Sequence, residues 1–515
     1  MMKKRLMAMC LAVAMAAALA GCGGTTESSK EETKAAAEDT GAAVEEGEES
    51  GQEPVEIEVL SLTWGTNPEP GNFVEEKILE DINVKLTMTN FATGDDVKTS
   101  LNMRLTGNDA PDLFYATAED IADYATKGYL LPLDDYMDKM PNVKAIQEKV
   151  GVIGQVDGVQ YGAVKQPQIY QEGYWIRKDW LDAAGLPMPT TLEELISSVE
   201  QIMNSDPDGN GIDDTIGITG VKINAIMPIL AAYGVSRPTD LIDQDGEVVS
   251  SLYDENYPDA IAYIKDLLDK GIIDKEIMAL TSDLYKDKLA QGLPVVVYDS
   301  WTQFKKPELY APIEENNPDA EWVRIFDLEG PGATTSGLYD PTSVGAIYCV
   351  PAQLEGDEEK LDAIWRLLDY VAADEGLRLV SYGLEGEHYT VEDGTIVATD
   401  RMATEADFTW VYQLLGRNEM EYLGVKFPYA KAEIESGVYD RTYIRLVNTL
   451  VEYPDWYQRV DAQRYMDEEV TKFMFGERPL EEYDAFLETL DSTYNYKEFV
   501  AGVNEYIQGT GVLDN

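Results

Sequence analysis

Histidine is almost absent. A chain of 515 residues contains one, His388. A zinc site rich in histidine is therefore excluded, and a Ser/His/Asp triad would have to be built on His388. Cysteine occurs three times, at Cys10, Cys22 and Cys349, which makes neither a disulfide framework nor a CxxC metal site. Basic residues are scarce: 40 Lys and Arg stand against 96 Asp and Glu, for a net charge of −56. That surface repels a phosphate backbone, which argues against nucleic-acid binding, and it lacks a basic patch for anionic lipid. Gly-Lys-Ser phosphate loops, GxSxG and HExxH are all missing, so no enzyme is expected. Apolar residues, by contrast, make up 44% of the chain, enough for a large core, and tyrosine is abundant at 31. The length suits several domains or two large lobes.

The N-terminus begins with Lys3, Lys4 and Arg5, followed by an apolar run over 6–18 that is too short to span a membrane. The end of that run, LAGC at 19–22, resembles a bacterial lipoprotein cleavage box. Residues 1–21 thus read as a signal peptide and Cys22 as the lipidated residue, with the lipid as the chain's sole contact with the membrane. Residues 22–53 hold Gly, Ser, Thr, Ala and Glu with almost no large apolar side chains, which is the composition of a disordered acidic tether. Cys349 lies in an apolar run, where a buried, unreactive thiol is expected.

From residue 54 onward, strand and helix patterns alternate. Residues 55–60 alternate with period two, 73–83 carry helical spacing, and 84–88 and 112–115 read as further strands. A strand at 173–177 leads into a helix stopped by Gly185, and PTTLEEL at 189–195 is a helix start that Thr190 or Thr191 can cap. Residues 294–298 and 343–350 are buried strands, and 403 to the C-terminus is largely helical and rich in aromatics. The alternation predicts an α/β body with largely parallel sheets, and the lack of a second linker predicts lobes joined by crossing segments.

Several segments, in order, resemble one family. DLFYA at 112–116 followed by GYLLPL at 128–133 resembles its strand–helix–turn unit, and DGVQYG at 157–162 resembles its DGKxYG turn. WIRKDWLDAAGL at 175–186 with PTTLEEL resembles its crossover into the second lobe. VVVYDSW at 295–301, GLEGEHYT at 383–390 and GERPLEEYDAF at 476–486 complete the likeness. The family is the extracellular solute-binding lipoproteins of bacterial ABC importers, family 1 type. The resemblance implies a two-lobe α/β periplasmic-binding-protein-like fold with a hinge and a helix-rich C-terminal region. It places one lobe at 54–168 with 345–383 and the other at 169–344 with 384–515. It further implies a monomeric, lipid-anchored receptor that closes on an oligosaccharide and delivers it to an ABC permease. A glycoside hydrolase acting on oligosaccharides and a peptide-binding receptor are the alternatives.

The sharpest local motif is DPDGNGIDDT at 206–215. Oxygen donors at alternate positions of a tight loop are what Ca²⁺ requires. Asp206, Asp208, Asn210 and Asp214 offer side-chain oxygens, Ile212 its carbonyl, and Gly211 the sharp turn. Position 12 of the loop is Gly217 and not the bidentate Glu of an EF-hand. The motif more closely resembles the calcium loop of alginate-binding members of the family. For the ligand, stacking aromatics and planar polar groups are expected where strands end at a cleft. Trp301 follows the strand 294–298 and matches, by the resemblance, a sugar-stacking tryptophan of maltodextrin-type binders. Trp64 and Asn67 follow the first strand, and Thr117 and Glu119 follow the strand at 112–115. Tyr170 and Tyr174 lie at the lobe crossover, and His388 and Trp410 in segments expected to face the hinge.

Overall fold

The computed structural model describes residues 53–514 except 64–65, 168, 170–171, 327, 334–336, 437–442 and 455. The leader, Cys22, Trp64 and Tyr170 lie outside the described residues. The period-two alternation forms the strand Val55–Leu62, in which Ile57 and Val59 point into the core. It sits second in a five-stranded sheet of spatial order Val84–Phe91, Val55–Leu62, Leu113–Ala116, Ile347–Cys349, Gly162–Val164. The first connection is the helix Phe73–Ile82. The Asn72 side chain caps it by accepting the N–H groups of Val74 and Glu75, and Val74 and Ile78 are buried on one face.

A second sheet has the order Trp322–Arg324, Glu172–Arg177, Pro294–Ser300, Ile216–Thr219. The helix Leu192–Met203 packs on it. Thr191 caps that helix through the N–H of Glu194, and the Glu194 carboxylate accepts the N–H of Thr190. A third sheet joins Glu247–Ser250, Leu241–Gln244, Ile444–Leu446 and Leu338–Tyr339. The C-terminal helices Arg459–Met474, Tyr483–Tyr494 and Tyr496–Thr510 lie alongside, with Phe473, Phe486 and Tyr496 buried and the Tyr457 and Phe499 rings stacked 3.9 Å apart.

The fold is the expected two-lobe, hinged α/β architecture, but its sheets are mixed and not largely parallel. Ile347–Cys349 runs antiparallel to both its neighbours, and Glu172–Arg177 does the same in the second sheet. The reason is the crossings. A strand that enters a sheet directly from the other lobe starts at the cleft edge, where its neighbours end, so it must run the opposite way. Pro167 and Val344 face each other as an antiparallel bridge at that crossing. The later segment 411–415 also departs from simple division: Val411, Tyr412, Leu414 and Leu415 bury themselves in the core around Ile57 and Trp365. Tyr412 bonds Asn72 and Glu75 at the start of the Phe73–Ile82 helix. Segment 384–515 therefore does not pack with the second sheet alone.

Candidate functional site

Two adjoining cavities open where the second sheet meets the crossing segments. One, of about 490 Å³, is lined by Glu172, Asn224, Arg237, Tyr298, Asp340 and Thr449 among others, and also by Ser343 and Gly345. The second, of about 410 Å³, shares Glu172, Asn224 and Tyr298 and adds Tyr285, Lys286, Asp299 and Ser300. Tyr298, Asp299 and Ser300 end the strand Pro294–Ser300, and Glu172 begins the strand paired with it. Ser343 and Gly345 lie at the edge of the first sheet where Ile347 pairs with Ala116. The cavities thus sit between strand C-termini, where open α/β sheets form crevices.

Their polar groups are held in place. Tyr298 donates its hydroxyl to Glu172 Oε2 at 3.0 Å, and Tyr285 donates to Asp299 Oδ2 at 2.8 Å. The Asp299 carboxyl also accepts the N–H of Ser300 at 2.7 Å. Burial pushes its pKa up to about 6, against the opposing pull of those two bonds. Arg237 grips Asp240 through two nitrogens, at 3.0 and 2.9 Å, and donates a third bond to Asn224 Oδ1. Burial pushes the Asp340 carboxyl above its ordinary range. Its two oxygens accept the N–H and hydroxyl of both Thr342 and Thr449, tying the crossing segment to the 449 region. Acidic side chains outnumber the basic ones here. Of the two cations, Arg237 is already committed to Asp240, which leaves Lys286 as the base beside Asp299.

The residues expected from sequence to meet the ligand fall differently. Trp301 is 1% exposed and lies edge-on to Phe427, 5.3 Å away, so it is a core residue and not a stacking platform. Tyr174 is buried, with its hydroxyl donated to the Ala225 carbonyl at 2.8 Å. His388 is buried as well. Its Nδ1 accepts the Leu384 N–H and its ring stacks on Phe73 at 4.8 Å, while burial holds its pKa below the ordinary histidine value. Trp410 is half-buried against the first lobe's core. Thr117 spends its hydroxyl capping the helix Ala118–Thr126, in a reciprocal box with Asp120. Asn67 is exposed. Glu119 lines a neighbouring cavity, where it pairs with Arg459. The side chains that do converge, Glu172, Asn224, Arg237, Asp340 and Thr449, carry no local signature.

The loop 206–214 lies apart from these cavities. Asp206, Gly209 and Gly211 take positive φ values of 48°, 69° and 77°, which coil it tightly. The Asn210 amide nitrogen sits 2.7 Å from Asp208 Oδ2 and 3.4 Å from both oxygens of Asp214, and Asp206 Oδ2 accepts the Gly211 N–H. An N–H donor therefore occupies the space between two carboxylates, a space whose chemistry suits a cation. Among the described residues no three acidic, Cys or His side chains already converge as a metal cage. Among them, too, no helix is long and apolar enough to cross a membrane.

Comparison with known proteins agrees with this architecture. The family model for bacterial extracellular solute-binding proteins matches residues 67–377, more than half of the chain. The polygalacturonan/rhamnogalacturonan-binding protein YtcQ of Bacillus subtilis is 23% identical over 395 residues, 75% of this chain and 74% of that protein. The fructooligosaccharide ABC transporter substrate-binding protein FusA of Streptococcus pneumoniae is 29% identical over 252 residues, 44% of this chain and 46% of that one. Its structure in complex with kestose superposes with a TM-score of 0.66 and 18% identity, covering 88% of this chain and 99% of that one. Alginate-binding protein AlgQ2, solved without calcium ion, superposes with a TM-score of 0.69 and 15% identity, covering 90% of this chain and 98% of that one.

Proposed function

This chain belongs to the bacterial extracellular solute-binding proteins, and on that premise we propose that it captures an uncharged oligosaccharide for an ABC importer. The observation that carries this reading is the pair of adjoining cavities around Tyr298, at the edges where two lobes meet. Together they offer fixed hydroxyl, amide, carboxylate and guanidinium groups, which match a ligand made of hydroxyls. Acidic predominance, with Arg237 already bound to Asp240, sets the site against uronic-acid oligomers. Ligand touching both lobes stabilises the closed form, because only that form makes both sets of contacts. A micromolar affinity, about −8 kcal/mol, suits capture followed by release to a permease. The anchor is a lipid on Cys22, and the working form is a monomer.

A hydrolase is the second reading, because Glu172 and Asp299 line one cavity. Two further carboxylates that could serve as acid or base are held in ion pairs elsewhere: Glu119 with Arg459 and Glu387 with Arg401. The test is a fluorescence titration of the Cys22→Ser chain with kestose, maltodextrins, oligogalacturonates and a tripeptide mixture. Saturable binding of a neutral sugar, recovered intact, is expected. Recovery of cleaved sugar supports the hydrolase, and preference for galacturonate or peptide overturns the ligand class.

The loop 206–214 is assigned a structural calcium ion held by Asp206, Asp208, Asn210, the Ile212 carbonyl and Asp214. The ion would neutralise carboxylates that now repel one another. Adding Ca²⁺ to EDTA-treated protein at about 100 times its Kd is expected to stabilise by about 2.7 kcal/mol. Thermal melting reads this as a rise of a few degrees, and the response disappears in Asp208→Asn/Asp214→Asn. A midpoint that does not move on adding Ca²⁺ removes the assignment.

A further inference from the structure

A third cavity, of about 290 Å³, lies on the other side of Thr449 from the central ones. Thr449 lines both it and the 490 Å³ cavity, so the two share a wall. Strand pairing places it on the same cleft edge. Ile347 pairs with Ala116, so Gly345 of the central cavity and Ala118 of this one leave neighbouring strands at the same end. One side is the helix Ala118–Thr126 and the 152–156 segment. The other is the 449–453 segment with Arg459 and Tyr506.

The lining suits a sugar unit. Ile121, Ile153 and Leu450 are apolar, while Gln155, Glu452 and Arg459 are polar. Arg459 bridges the two sides: its Nη2 meets Glu119 Oε2 at 2.5 Å and its guanidinium lies 4.6 Å from the Tyr453 ring centre. Its Nε–H has no acceptor among the described residues, and its side chain as a whole is 28% exposed, so part of it is open to a ligand in the chamber.

We propose that this chamber is an additional sugar subsite. It holds the terminal unit of an oligosaccharide whose other units fill the cavities around Tyr298, with Arg459 as the residue that recognises that unit. The inference rests on the oligosaccharide reading above and adds selection for chain length. Glu119 then acts as the counter-charge that holds Arg459 across the chamber mouth until ligand arrives.

The test uses the Cys22→Ser chain with two size series, kestose and its longer homologues, and maltotriose and its longer homologues. In the series that binds, affinity is expected to rise roughly tenfold or more from the trisaccharide to the longest member. Thr126 lines the chamber on an exposed helical turn, so Thr126→Trp fills the space without touching the core. It is expected to abolish the length-dependent gain and leave trisaccharide affinity within roughly twofold. A second readout is Thr126→Cys, with Cys10 also replaced by serine, carrying an environment-sensitive dye that buried Cys349 does not compete for. Its signal is expected to respond to long oligomers and not to the trisaccharide. Affinity independent of length, or Thr126→Trp weakening every length equally, overturns the subsite and leaves the receptor reading standing. Absence of saturable binding by both series removes the neutral-oligosaccharide reading and the subsite with it.

Discussion

Trp301→Ala is expected to destabilise the protein by about 3–5 kcal/mol, the range for removing a large buried aromatic. Trp301 is 1% exposed and sits in a cluster with Trp175, Val297, Phe304 and Trp322. Phe427 approaches its edge at 5.3 Å. Removing the indole leaves a void that these rigid neighbours cannot close. Trp301→Phe keeps most of the packing and is expected to cost less than half as much. Urea denaturation followed by far-UV circular dichroism measures both. Folded Trp301→Ala protein is expected to keep its ligand affinity within a few-fold. The opposite pattern, stability retained and affinity lost, would return Trp301 to the ligand-stacking role its sequence position first suggested.

Asp299→Asn is expected to stabilise the protein above pH 6 and to have no effect below pH 4. The native carboxyl has its pKa pushed up to about 6 by burial, from an ordinary value of 3.8. Native protein thus holds the proton more tightly than unfolded chain does. The stability this contributes is complete below about pH 4 and is lost as pH rises through about 6. The groups facing the carboxyl are the Tyr285 hydroxyl, the Ser300 N–H, Lys286 and the Glu172 charge. Asparagine imitates the protonated form, so it avoids the cost of ionisation, about 1–3 kcal/mol at pH 8. Denaturation curves of both proteins from pH 4 to 8 should converge at the acid end. A difference that is constant across that range removes the buried-carboxyl account. A variant less stable throughout would mean that the bonds to Tyr285 and Ser300 outweigh the desolvation.

What could be read from the residues alone was local. Period-two spacing at 55–60 and the helical spacing at 73–83 determine their elements, because each strand or helix buries one face. Thr191 sits where it satisfies a first free N–H group of its helix, and a cap needs nothing beyond its own turn. The segments resembling the solute-binding family were legible for the same reason: each is a short unit whose residues interact with one another. The fate of Cys349 was legible too, since its apolar run left it nowhere but the core, where burial pushes its thiol pKa upward.

The tertiary structure decided the rest. Strand direction depended on which side of the cleft each crossing segment enters from, and that is a property of the whole chain path. Trp301, Tyr174 and His388 had the right chemistry for a sugar, but their burial was settled by Phe427, Ala225 and Phe73, far away in sequence. The cavity around Tyr298 is assembled from residues 172, 224, 237, 340 and 449, brought together by strand pairing and by the bonds of Asp340 to Thr449. No periodicity links positions so far apart. Their convergence is enforced by burial of apolar faces elsewhere, and the polar groups of the site are carried to one place by cores they do not belong to.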